Sequence, residues 1–73
     1  MRTLNQVSVG ETVKVSRIHG IGALQRRIMD MGVLKGVNVS VRKVAPFGDP
    51  IEINVRGYGL SLRKMEAEVV AVE

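Results

Sequence analysis

The chain has 73 residues, 45% of them hydrophobic, with Phe47 and Tyr58 as its only aromatics. That is room for one domain with an aliphatic core, and a chain this short hides only about 60% of its unfolded surface. The net charge of +4, from 11 Lys and Arg against 7 Asp and Glu, suits an acidic partner without naming one. The chain has no cysteine, which disfavours a disulfide-stapled secreted scaffold and favours a reducing cytosol. No apolar stretch approaches the roughly 20 residues of a membrane span, and the N-terminus lacks the apolar core of a signal peptide.

Along the chain, Thr3 is placed to cap one short turn over Leu4 to Val7. After a turn at Val9-Gly10-Glu11, the residues Val13, Val15 and Arg17 alternate with Lys14, Ser16 and Ile18, the period of a first strand. Gly20-Ile21-Gly22 opens one helix, predicted over Ile21 to Met31. At about 100° per residue, Ile21, Leu24, Ile28 and Met31 share a stripe, while Arg26, Arg27 and Asp30 point away. Gly32 stands where a helix often ends in the left-handed conformation. Val37, Val39 and Val41 alternate with Asn38, Ser40 and Arg42, the clearest strand in the chain.

Two prolines and a glycine make residues 45–50 a loop. Ile51, Ile53 and Val55 form the returning strand, Gly57-Tyr58-Gly59 a tight turn, and Leu60 to Arg63 a further strand. Lys64 to Ala67 suits one helical turn. Glu68 to Val72 reads as a last strand, apolar on both faces, so both faces are covered or one lines a contact. About five short strands and one α-helix between the first and second predict a mostly β fold. Few edges can be left unpaired in so small a sheet. A small, partly open barrel of the SH3-like kind, a single domain over 1–73 with the helix over its mouth, meets that demand.

The residues of an active site are missing. Nucleophilic catalysis needs an activated Ser, Cys or Lys beside a base. The one histidine, His19, has no serine or cysteine spaced to partner it. His19-Gly20-Ile21-Gly22 runs from strand to helix but lacks the Lys-Ser/Thr of a phosphate loop and the third glycine of a dinucleotide fingerprint. No enzyme activity and no cofactor are expected. His19, Glu66 and Glu68 are weak metal-ligand candidates, without the spacing of a metal site. The basic residues are spread over every element and not interleaved with aromatics, so nucleic-acid binding is an alternative resting on charge alone. A metal-binding sensor or chaperone is the other alternative.

Protein contact is the remaining class. Met29 lies off the apolar stripe beside Arg26 and either flanks the core or is an exposed contact, and Phe47 stands between two prolines in a loop, where it either caps the barrel end or offers a contact. The last strand could offer an edge for strand addition.

In order, several pieces resemble the FeoA family: Leu4, the Val9-Gly10-Glu11 turn, and the strand end Arg17-Ile18-His19-Gly20. The helix and exit from Leu24-Gln25-Arg26-Arg27-Ile28-Met29-Asp30-Met31-Gly32 to Lys35-Gly36 are the most specific part, with Lys35 where proline is common. The segments 45–51 and Leu60 to Ala67 and the aliphatic last strand complete a match from Leu4 to Val72. The resemblance implies an SH3-like fold shared with the C-terminal domain of iron-dependent repressors, whose winged helix 73 residues cannot hold. It implies a cytoplasmic adaptor of ferrous iron uptake that docks on the FeoB transporter, at its GTP-binding part or membrane core, and is recruited by it to the membrane's inner face. Metal binding is attached to the family only in general terms. Arg26, Arg27, Met29, Met31 and Phe47 are the expected contact residues.

Overall fold

A computed structural model describes residues 2–73. In chain order it has β1 (Arg2–Thr3), a 3-10 turn (Leu4–Gln6), β2 (Thr12–Ile18), α1 (Gly22–Asp30), β3 (Asn38–Val44), β4 (Ile51–Val55), β5 (Tyr58–Leu62), α2 (Lys64–Ala67) and β6 (Val70–Val72). The strands form one sheet in the order β1-β6-β2-β3-β4-β5, with every neighbour antiparallel. The mostly β, SH3-like expectation holds, with six strands in place of about five. The extra strand is β1, whose two residues pair with Ala71 and Val72 of β6 and are too few to show a period.

The sheet curls because β2 divides its partners. Thr12 to Lys14 pair with β3, and Val15 to Ile18 pair with β6. The β2–β6 register shifts between Val15 and Arg17, and the β3–β4 register between Val41 and Lys43. Such irregularities bend a strand and reset which side chains face inward. The first one overturns part of the expected alternation: Ile18 is buried with Val13 and Val15, and Arg17 is exposed.

Val39, Val41, Ile51, Ile53 and Val55 fill the core as their alternation predicts, together with Leu4, Ile28, Val33, Leu62 and Val70. The last strand begins at Val70, since Glu68 and Val69 form a turn, and all three of its residues are buried. It lies between β1 and β2, so it is no sheet edge. Of the two readings of its apolar faces, coverage is the one realised.

Helix α1 is shorter than the predicted Ile21 to Met31. Ile21 is its N-cap, with extended backbone (φ −120°, ψ 157°), so the helical period does not reach it and its side chain is 86% exposed. At the other end Gly32 takes φ +95°. Its N–H donates to the Met29 carbonyl (3.0 Å) and the Val33 N–H to the Ile28 carbonyl (3.4 Å), a Schellman close that brings buried Val33 onto buried Ile28.

The β4–β5 turn also falls earlier than expected. Val55 pairs with Tyr58, leaving Arg56 and Gly57 as a two-residue loop with φ of 54° and 86°. Positive φ at both positions suits the right-handed twist of a hairpin. The Asn54 side chain completes it by accepting the Gly57 N–H at 3.1 Å. At the N-terminus the Thr3 N–H donates to Gln6 Oε1 (2.9 Å), closing the predicted turn. Arg2 pairs with Glu11 at 2.8 Å; the guanidinium and then the Ser8 N–H hold the Glu11 carboxyl below the usual carboxylate range.

Candidate functional site

Helix α1 rests on the barrel through one side of its surface. Ile28 is fully buried, and Leu24 and Met31 pack against the core. Two polar ties fix its orientation. Gln25 Nε2 donates to the Ile18 carbonyl at 3.1 Å, and Arg27 Nε donates to Glu66 Oε2 at 2.9 Å. Glu66 is the one buried charged residue among those described. Its other oxygen accepts the Arg63 N–H at 2.8 Å, at the start of α2. One carboxylate thus caps α2 and holds α1, and the Arg63-x-x-Glu66 spacing of a capping box was its available sequence signal.

The expected contact residues separate accordingly. Arg26 and Met29 are exposed, Met29 by 43%, and line an open depression of about 350 Å³ on the outer side of α1 with Gly22, Gln25 and Asp30. Arg27 is on the exposed surface too, but its guanidinium is engaged with Glu66. Met31 is half-buried against the core. Its remaining surface lines a second groove, between the exit of α1 and the β4–β5 hairpin. Phe47 is on neither groove. It stands 96% exposed in the β3–β4 loop.

That loop is tied down, which makes the exposed ring a presented one. Gly48 N–H donates to the Ala45 carbonyl (2.8 Å) and Ala45 N–H to the Pro50 carbonyl (3.1 Å). Asp49 Oδ1 accepts the Lys64 N–H at 3.0 Å, fastening the loop to the first turn of α2. Ile21, Tyr58 (74% exposed) and Met65 are further exposed apolar side chains absent from the expected contact set. The helical period places Ile21 on the core stripe, and the flanking glycines place Tyr58 in a turn.

The metal-ligand candidates do not converge as a set of three. Glu66 is committed to Arg27 and Arg63. His19 and Glu68 are exposed, and their N–H groups donate to the Val69 carbonyl (2.7 Å) and the Lys64 carbonyl (3.0 Å). Among the described residues no three His, Cys, Asp or Glu side chains could hold one ion. No helix among them is long and apolar enough to cross a membrane.

Comparison with known proteins supplies the family. The FeoA domain model matches residues 2–73. Over 70 residues the chain is 31% identical to the Fe(2+) transport protein A/Fe(2+) transporter FeoB fusion protein of Porphyromonas gingivalis, covering 96% of this chain and 8% of that protein. The solution structure of a FeoA-like protein from Clostridium acetobutylicum is 45% identical, with a TM-score of 0.90 over 97% of this chain and 83% of that one. Stenotrophomonas maltophilia FeoA, crystallised with zinc and described as a prokaryotic SH3 domain protein, is 26% identical, with a TM-score of 0.88 over 100% and 91% of the two chains. With a match from residue 2 to residue 73 on a barrel that superposes on solved FeoA structures, the chain belongs to the FeoA family.

Proposed function

We propose that this protein is a non-enzymatic accessory subunit of ferrous iron uptake that binds a FeoB-type transporter at the cytoplasmic face of the membrane and modulates it. The observation that carries the reading is the Porphyromonas gingivalis relative, in which a segment 31% identical to this chain is joined covalently to FeoB. Linking two modules in one chain raises the effective concentration of each at the other, commonly into the millimolar range. A FeoA domain not so joined reaches its partner through surface contacts.

The surface suited to this is the outer side of α1, where Arg26 and Met29 share a depression; Phe47, on its fastened loop, is a separate exposed anchor. Arginine and exposed large apolar side chains are the residue types that dominate interface energetics. Arg27 contributes by holding α1 in place through Glu66. Co-purification of the tagged chain with the FeoB-type transporter of the same organism is the direct test. Arg26→Glu and Met29→Glu are each expected to weaken the complex by more than about 1 kcal/mol, roughly fivefold in Kd, with the fold intact. Unchanged binding in both variants would remove this face from the interface.

A further inference from the structure

Strand β5 is one edge of the sheet, and among the described residues no strand pairs with its outer side. In the two-residue hairpin Val55 and Tyr58 exchange hydrogen bonds, and so, alternately, do Ile53 with Leu60 and Ile51 with Leu62. The N–H and C=O groups of Gly59 and Ser61 therefore point away from β4. Proteins usually guard such an edge with inward charges, proline, a bulge or very short length. Here the edge reads Tyr-Gly-Leu-Ser-Leu over five residues, its ladder to β4 runs without a register shift, and nothing lies within 4 Å of where a Gly59 Cβ would stand. The opposite edge, β1, has two residues, and its Thr3 N–H is already bonded to Gln6.

Beside this edge lies the second groove, about 370 Å³, walled by Met31, Tyr58, Gly59 and Leu60. The charges stand just beyond the strand. Arg56 precedes it, Arg63 and Lys64 follow it, all three are exposed, and neither ion pair among the described residues uses them. A second copy paired antiparallel on β5 would set the Arg56 of one against the Arg63 and Lys64 of the other. Like charges facing each other across a ladder are destabilising. An occupant with carboxylates at its ends meets the opposite condition.

We propose that the β5 edge takes an extended, acidic-flanked segment of the transporter partner as an additional strand, with one apolar side chain seated in the groove between Met31 and Tyr58. This deepens the transporter-binding reading and rests on it. At about 3.3 Å per residue the paired stretch needs roughly five residues, with acidic groups on the order of 20 Å apart.

The test uses the whole chain and the purified FeoB-type transporter of the same organism in detergent. Amide exchange is followed at Gly59 and Ser61 with and without transporter, and affinity is measured for Ser61→Pro and Ser61→Thr. Proline at Ser61 removes an outward N–H and leaves the ladder to β4 unbroken. Exchange at both amides is expected to slow by at least about tenfold on binding. Ser61→Pro is expected to weaken the complex by about tenfold and Ser61→Thr by less than about twofold. Transporter binding without protection of these amides, or undiminished binding by folded Ser61→Pro, overturns the proposal and leaves the transporter reading standing. If Ser61→Pro does not fold, protection in the unaltered chain decides. Absence of any binding defeats both readings. Protection that grows with protein concentration and needs no transporter assigns the edge to a second copy and overturns the acidic partner.

Discussion

Glu66→Ala removes the residue that joins two helices, and its cost can be built from its two contacts. The Arg63 N–H bond is short (2.8 Å) and ends on a carboxylate whose side chain is 5% exposed. A hydrogen bond to a charged group contributes about 1.5–3 kcal/mol. The Arg27 side chain is 64% exposed, so water takes over when its partner goes. Its share belongs with surface pairs, about 0.2–1 kcal/mol. Relief from burying the charge offsets part of the sum, leaving about 2 kcal/mol for Glu66→Ala, a fall in Tm of roughly 8–16 °C in a domain of this size. Arg27→Ala leaves the cap in place and is expected to cost no more than about 1 kcal/mol. Glu66→Gln keeps an acceptor for the Arg63 N–H and falls between the two. Urea unfolding followed by far-ultraviolet circular dichroism measures all three. If Arg27→Ala is as costly as Glu66→Ala, the ion pair and not the cap dominates, and this apportionment is wrong.

Other substitutions test separate parts of the account. Ile28 is the only fully buried side chain of α1, so Ile28→Ala should destabilise by about 2–5 kcal/mol in chemical denaturation. Ile21→Ser should raise stability by about 0.5–2 kcal/mol, because Ile21 is an exposed N-cap without a side-chain cap hydrogen bond and a serine hydroxyl there can accept one from the first turn. Arg56 holds φ 54° in the hairpin, a conformation glycine adopts without its steric penalty, so Arg56→Gly should be neutral or raise Tm slightly. The Glu11 carboxyl is held below its usual range by Arg2 and the Ser8 N–H. Its contribution is therefore complete above the ordinary glutamate value, about 4.3, and is lost as pH falls through the lower folded value. Glu11→Gln should flatten the acid side of a Tm-against-pH curve, and an unchanged acid side would remove Arg2–Glu11 from the picture.

The barrel was legible because most of its strands alternate. Val37, Val39 and Val41 and then Ile51, Ile53 and Val55 state which face is buried, and the structure buries those residues. The errors fall where a local rule stops applying. A shift between Val15 and Arg17 changes the parity of β2, and alternation cannot announce where a strand will skip a residue. Ile21 satisfies the helical period on paper, but the backbone turns helical only one residue later. The glycines flanking Tyr58 predict a turn there, whereas the turn is made by Arg56 at positive φ, a conformation that residue type rarely signals.

The candidate contact surface was half legible. Arg26 could be identified as exposed from spacing, whereas Met29 and Phe47 each had a core-flanking or barrel-capping reading beside the exposed one, and the structure exposes both. The role of Arg27 could not, because its partner Glu66 is distant in sequence and meets it only once α2 has folded against the exit of α1. The same holds for the sheet edge. Which strand is left unpaired depends on the order of all six, and β6, last in sequence, is paired on its far side by β1.

The central claim is that this chain acts by holding a FeoB-type transporter. Co-purification of the tagged chain with that transporter, from membranes of the organism that encodes both, tests it most directly. The expected result is a complex retained by the unaltered chain and weakened by Arg26→Glu or Met29→Glu; no retention by the folded, unaltered chain across salt and nucleotide conditions would contradict transporter binding.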